Sequence, residues 1–239
     1  MKDAQVIIER VRRAAPTIQR LDVSVELPHK TVQPGQFFLA RVTESLDPYL
    51  REPWTPIRKK GAILTFERPL GVNYQPGQVI GLLGPIGKPI QLRDAVRTLL
   101  LIAYDSAPIS LLMLAEEALE RRVSVTLLLL GAARAYPLEA LPPEIEIVRG
   151  DEKGQFSPDY LKWADQVIAV APDAERYSAL FEAAVRARTE IAPNFLSVIY
   201  QLPMPCGVGA CSACAVRCKG SERLACVDGP VFDLLEVSL

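Results

Sequence analysis

The chain has 239 residues, 49% of them hydrophobic, enough to bury a large core and to divide into two domains with a small appendage. Lys plus Arg number 27 against 28 for Asp plus Glu, and a formal charge of -1 offers nothing to a phosphate backbone, so no nucleic-acid partner is expected. Residues 1–13 lack the apolar core of a signal peptide, and the strongest apolar stretch, residues 123–133, is far below the roughly 20 residues that span a bilayer. No membrane insertion is expected, and the protein reads as soluble and cytoplasmic.

Up to Asp94 the pattern is one of short β-branched or alternating segments separated by Pro and Gly. Residues 5–12, 18–27, 36–42, 63–67 and 79–83 read as strands. Pro34-Gly35 and Pro76-Gly77 are turn signals just ahead of two of them. Short strands with no helical period between them predict a small antiparallel β-barrel over residues 1–94. The rhythm then changes. Residues 97–103 form a continuous apolar strand, and residues 108–121 have helical composition, with Asp105 or Ser106 placed to cap the helix. Residues 123–130, 144–148 and 166–171 read as further strands and 174–188 as a strong helix. Strands alternating with helices predict a parallel sheet covered on both faces, an α/β domain over residues 95–202.

Residues 203–239 form the third segment and hold all five cysteines. Cys206, Cys211, Cys214 and Cys226 give C-x4-C-x2-C-x11-C, the spacing of a plant-type 2Fe-2S cluster. Small residues in Gly207-Val208-Gly209-Ala210 let the backbone fold around an inorganic core and aim N–H groups at its sulfides. Zinc is the alternative, but zinc sites usually build from C-x2-C pairs on two separate turns, whereas here three thiols share one loop. Cys211, Cys214 and Cys218 also make C-x2-C-x3-C, a fragment of the bacterial four-iron pattern that lacks its first cysteine and its trailing proline. One histidine in the chain, His29, excludes a Rieske centre, which needs two. An odd number of cysteines packed into 21 residues reads as metal ligands rather than a disulfide framework.

A barrel, then an α/β domain, then the run Cys206-Gly207-Val208-Gly209-Ala210-Cys211-Ser212-Ala213-Cys214 with Cys226-Val227-Asp228-Gly229-Pro230-Val231-Phe232 downstream resembles the electron-transfer subunits of dihydroorotate dehydrogenase, within the ferredoxin-reductase superfamily. The resemblance assigns Cys226, rather than Cys218, as the fourth ligand. It implies an oxidoreductase subunit of pyrimidine biosynthesis in which NADH reduces FAD held between barrel and α/β domain. The cluster would then pass single electrons to a catalytic flavoprotein subunit within a hetero-oligomer.

Upstream the sequence departs from the family pattern. The family's barrel motif, Arg-Pro-x-Ser/Thr, corresponds to Arg51-Glu52-Pro53-Trp54-Thr55, so a carboxylate stands where a phosphate-binding arginine is expected. Thr55 is the best remaining flavin contact, with Arg51, Pro53 and Trp54 beside it; the alternative for Trp54 is a buried barrel aromatic. The Gly-x-Gly-Thr turn that would enter a helix and hold a pyrophosphate is missing. At the nicotinamide site the family's glycine cluster is replaced by Ala103-Tyr104-Asp105-Ser106-Ala107-Pro108, and its Cys-Gly-Pro by Val170-Ala171-Pro172. Two expectations follow: weak or no NAD(P) binding, and either a subunit with FAD and cluster or a reductase-like relay that keeps the cluster alone. A zinc-binding assembly module is the third reading.

Overall fold

The first third of the chain forms seven strands, most of them from period-two alternation. They are β1 (Lys2–Arg13), β2 (Ile18–Ser24), β3 (Phe37–Arg41), β4 (Glu52–Trp54), β5 (Pro56–Lys60), β6 (Ile63–Pro69) and β7 (Val79–Ile86). The structure, a computed structural model, describes residues 2–42, 50–138, 141–151 and 153–239. All pairings are antiparallel, in the order β4-β3-β7-β1-β2-β6-β5. The sheet curls until its two ends meet: Trp54 of β4 packs on Phe66 of β6 with ring centroids 5.4 Å apart. Ile8, Leu21, Val23, Phe38, Leu64 and Leu82 fill this near-barrel and are fully buried. Strands β4 and β5, short and interrupted by Pro53 and Pro56, have no signal in the sequence pattern; proline is tolerated here because β4 and β5 lie at the sheet's ends.

The second layer system runs β8 (Thr98–Tyr104), α1 (Ile109–Glu120), β9 (Ser124–Leu130), β10 (Glu146–Arg149), α2 (Asp159–Trp163), β11 (Gln166–Val170), α3 (Ala174–Ala187) and β12 (Leu196–Ile199). A hairpin of β13 (Ala215–Cys218) and β14 (Ser221–Leu224) follows, and then β15 (Val231–Asp233). Strands pair in the order β10-β9-β8-β11-β12-β15, parallel throughout except for β15, which is antiparallel to β12. Leu99 to Ala103 are fully buried because helices cover both faces. On one face α1 packs Leu111, Leu114, Ala115 and Ala118; on the other α3 packs Tyr177, Leu180 and Ala184. Asp173 caps α3 by accepting the Arg176 N–H at 3.0 Å. The expected cap of α1 is not made: its N-cap is Pro108, with no side-chain bond, because Asp105 turns to partners across the sheet.

Two features join the layers. The α3 face continues into Phe37, Leu39 and Ile86 of the barrel and into Cys214 and Cys226, so the cysteine segment is wedged against both domains. On the other side a buried polar triad crosses the interface. Glu67 of β6 accepts from Arg20 Nε (2.8 Å) and Nη2 (2.6 Å), and from the Tyr136 hydroxyl at 2.9 Å. Among the described residues no helix is long and apolar enough to cross a membrane.

Candidate cluster site and adjoining cleft

The cysteine loop is shaped by left-handed backbone at Gly207 (φ 65), Gly209 (φ 77) and Ser212 (φ 55). Glycine is required twice. A Cβ on Gly207 would lie 2.8 Å from Leu39 Cδ1 of the barrel, and one on Gly209 would lie 2.9 Å from Val227 Cγ2. This tight path turns backbone N–H groups onto sulfur. The Cys206 thiol is drawn down to about 6, chiefly by the Val208 N–H; the Cys211 thiol and the N–H groups of Cys211 and Ala210 add to this against the cost of burial. A ligand that is already a thiolate near neutral pH favours metal capture.

The eleven residues between Cys214 and Cys226 are spent on the β13–β14 hairpin. Its open end, closed by Ala225 N–H to the Cys214 carbonyl at 2.9 Å, sets the two sulfurs 3.4 Å apart. Burial, the neighbouring Cys214 thiol and the charge of Cys206 push Cys226 up to about 12, so a metal must displace that proton. The thiols therefore stand two by two, Cys206 with Cys211 and Cys214 with Cys226. Among the described residues no three His, Cys, Asp or Glu side chains meet at a single ion position. Cys218, the last thiol of the C-x2-C-x3-C fragment, lies at the closed end of the hairpin opposite Ser221. Four steps along the chain, nearly all extended, separate it from Cys214, about 13 Å.

A cleft of about 460 Å³ opens between barrel and α/β domain, lined by Thr55, Arg68, Ser110, Tyr200 and Met204 among others. Its floor is the run from Ile199 to Met204, which leads directly into Cys206. Of the residues singled out in the barrel motif, Pro53 and Thr55 line this cleft. Trp54 is in the barrel core, 1% exposed, against Phe66 and Tyr74. Arg51 leaves the cleft and pairs with Asp3 at 2.5 Å. Glu52 is neutralised by Arg68, whose guanidinium also stacks 4.8 Å above the Trp54 ring. Arg68 and Ser110 carry no motif and were missed; only the pairing of β6 beside the barrel seam brings Arg68 to this position.

Residues 203–238 match the family described as the iron-sulfur cluster binding domain of dihydroorotate dehydrogenase B. Over the whole length, the dihydroorotate dehydrogenase B (NAD(+)) electron transfer subunit of Bacillus caldolyticus is 30% identical across 248 residues, 95% of either chain. The chain belongs to the dihydroorotate dehydrogenase B electron transfer subunit family. The corresponding subunit of Geobacillus sp. (strain WCH70) is 26% identical and aligns over 100% of both chains. Among solved structures, one of the NADH-dependent reduced ferredoxin-NADP oxidoreductase superposes with a TM-score of 0.76 at 21% identity, covering 98% of this chain and 90% of that one. This likeness establishes the fold, an antiparallel near-barrel followed by an α/β sheet and a C-terminal segment.

A second crevice lies at the carboxyl ends of β8 and β11. It is the sheet's topological switch point, because the chain runs outward from β8 to β10 and then returns to β11. Here Asp105, in left-handed backbone (φ 53), accepts from the Ala132 N–H at 2.9 Å and from Arg176 Nε at 3.0 Å. The Ala132 N–H foremost, and then Arg176, hold its carboxyl below the usual range. Arg176 lies 5.6 Å over the Tyr104 ring. An ion pair thus spans the crevice.

Proposed function

We propose that this chain carries a 2Fe-2S cluster on Cys206, Cys211, Cys214 and Cys226, takes a flavin in the adjoining cleft, and exchanges electrons with a catalytic flavoprotein subunit of a cytoplasmic dihydroorotate dehydrogenase. The observation that carries this reading is the two-by-two thiol arrangement at the end of the cleft floor. When bound, the flavin handles electrons in pairs and the cluster handles them singly. The residues fit both groups. Gly207 and Gly209 let the loop pack tightly against Leu39 and Val227, and the Val208, Ala210 and Cys211 N–H groups are aimed at sulfur. In the cleft, Ser110 Oγ and Arg68 Nε are buried without partners, as groups awaiting a polar ligand would be.

The segment 199–204 gives the shortest covalent path between cleft and cluster, while Cys211 is exposed with Val208 (48%) and Val227 (46%) beside it. That apolar rim faces the acceptor subunit, since transfer needs close approach and exclusion of water. We take residues 1–94, 95–202 and 203–239 as the flavin, nucleotide-type and cluster parts. The Asp105–Arg176 pair favours a subunit that no longer takes hydride from NAD(P)H, its electrons arriving through partner subunits. The visible spectrum of anaerobically purified protein, with iron, sulfide and released flavin quantified, tests the reading. Two irons and two sulfides with flavin support it in full; a cluster without flavin leaves the relay alone; zinc in place of iron overturns it.

A further inference from the structure

The cleft contains a polar end that the cysteine loop does not explain. Ser110 sits in the first turn of α1, a helix of 12 residues whose first turn holds no acidic residue and whose N-cap makes no side-chain bond. The positive end of the helix is therefore uncompensated. Ser110 is 8% exposed, and its hydroxyl has no partner among the described residues. Arg68 enters the same cleft from β6, with Nη2 on Glu52 and Nε unpaired. Glu67, a carboxylate lining the cleft, is already engaged by Arg20 and Tyr136. A cation, a helix N-terminus and an orphan hydroxyl converging on one cleft are the elements of a phosphate site.

We propose that Arg68, Ser110 and the N-terminus of α1 recognise the phosphate of a flavin nucleotide. Glu52, across the barrel seam on β4, orients the Arg68 guanidinium of β6. This rests on flavin occupancy of the cleft proposed above.

Titration of the flavin-depleted, cluster-containing full chain with riboflavin, FMN and FAD, followed by quenching of flavin fluorescence, tests it. Riboflavin offers the ring without a phosphate; FMN and FAD tell a terminal phosphate from a pyrophosphate. The wild type is expected to bind one of the nucleotides at least about tenfold more tightly than riboflavin, as a charge-assisted contact implies. Arg68→Met, which keeps the stem over Trp54, should abolish that preference, Arg68→Lys should restore part of it, and Ser110→Ala should weaken it about fivefold. Glu52→Gln, which frees Nη2, should tighten nucleotide binding, an effect a merely structural role would not give. Equal affinity for riboflavin and nucleotides in the wild type, or a preference that survives both Arg68→Met and Ser110→Ala, would overturn the assignment while leaving flavin binding intact. A wild type that takes up none of the three would overturn the flavin reading itself, and this inference with it.

Discussion

Glu67→Gln tests the interface between barrel and α/β domain most directly. The glutamine keeps the shape and can keep one acceptor toward Arg20, so the substitution removes charge and little else. Glu67 is 1% exposed at the side chain and Arg20 9%, so the mutant buries an uncompensated guanidinium. Burial alone would lower the Arg20 pKa, yet the bonds and charge of Glu67 raise it above the ordinary value, and that support disappears. Breaking one side of a buried pair costs about 3–5 kcal/mol. In a chain of this size each kcal/mol moves the melting temperature by about 2–4 °C, so the expected loss is about 6–20 °C by circular dichroism. Replacing both partners, Arg20→Met with Glu67→Met, should recover most of that loss, since an apolar pair of similar volume leaves no stranded charge. A single mutant melting within about 2 °C of wild type would refute the reasoning, as would a double mutant less stable than the single.

Cys226→Ser should abolish iron and sulfide incorporation, whereas Cys218→Ser, altering a thiol about 13 Å down the hairpin, should leave both unchanged. NADH should neither bind in the micromolar range nor reduce the purified subunit; Asp105→Gly, which removes the carboxylate at a left-handed position suited to glycine, should bring measurable binding back. The stabilisation supplied by Asp105 should depend on pH in one direction. Its folded pKa is depressed, so the contribution is complete above the unfolded value of about 3.9 and is lost as the pH falls through the folded one. The melting difference between wild type and Asp105→Asn, at most about 1 kcal/mol for a partly exposed pair, should therefore be constant near neutrality and close in acid.

What the sequence exposed and what it hid have a common cause. The cysteine spacing and the glycine turns are local constraints, legible because ligand geometry and left-handed backbone restrict residue type within a few positions. The β8-to-α3 alternation was legible because burial on both faces imposes long apolar runs. Strands β4 and β5 were not, since three to five residues broken by proline carry no period. The hairpin hidden between Cys214 and Cys226 was read as a gap, though its Lys219-Gly220 turn was there to see. Arg68 with Glu52, and Asp105 with Arg176, are pairings between residues distant in sequence, and charge alone does not say which partner a side chain will find.

Strand β15 has one more implication. By pairing with β12, whose four residues are all buried, the tail after Cys226 covers what would otherwise be an open edge of apolar parallel sheet. The redox segment is therefore also a guard against intermolecular strand addition, and a chain cut after residue 202 should precipitate rather than persist as a cluster-free reductase.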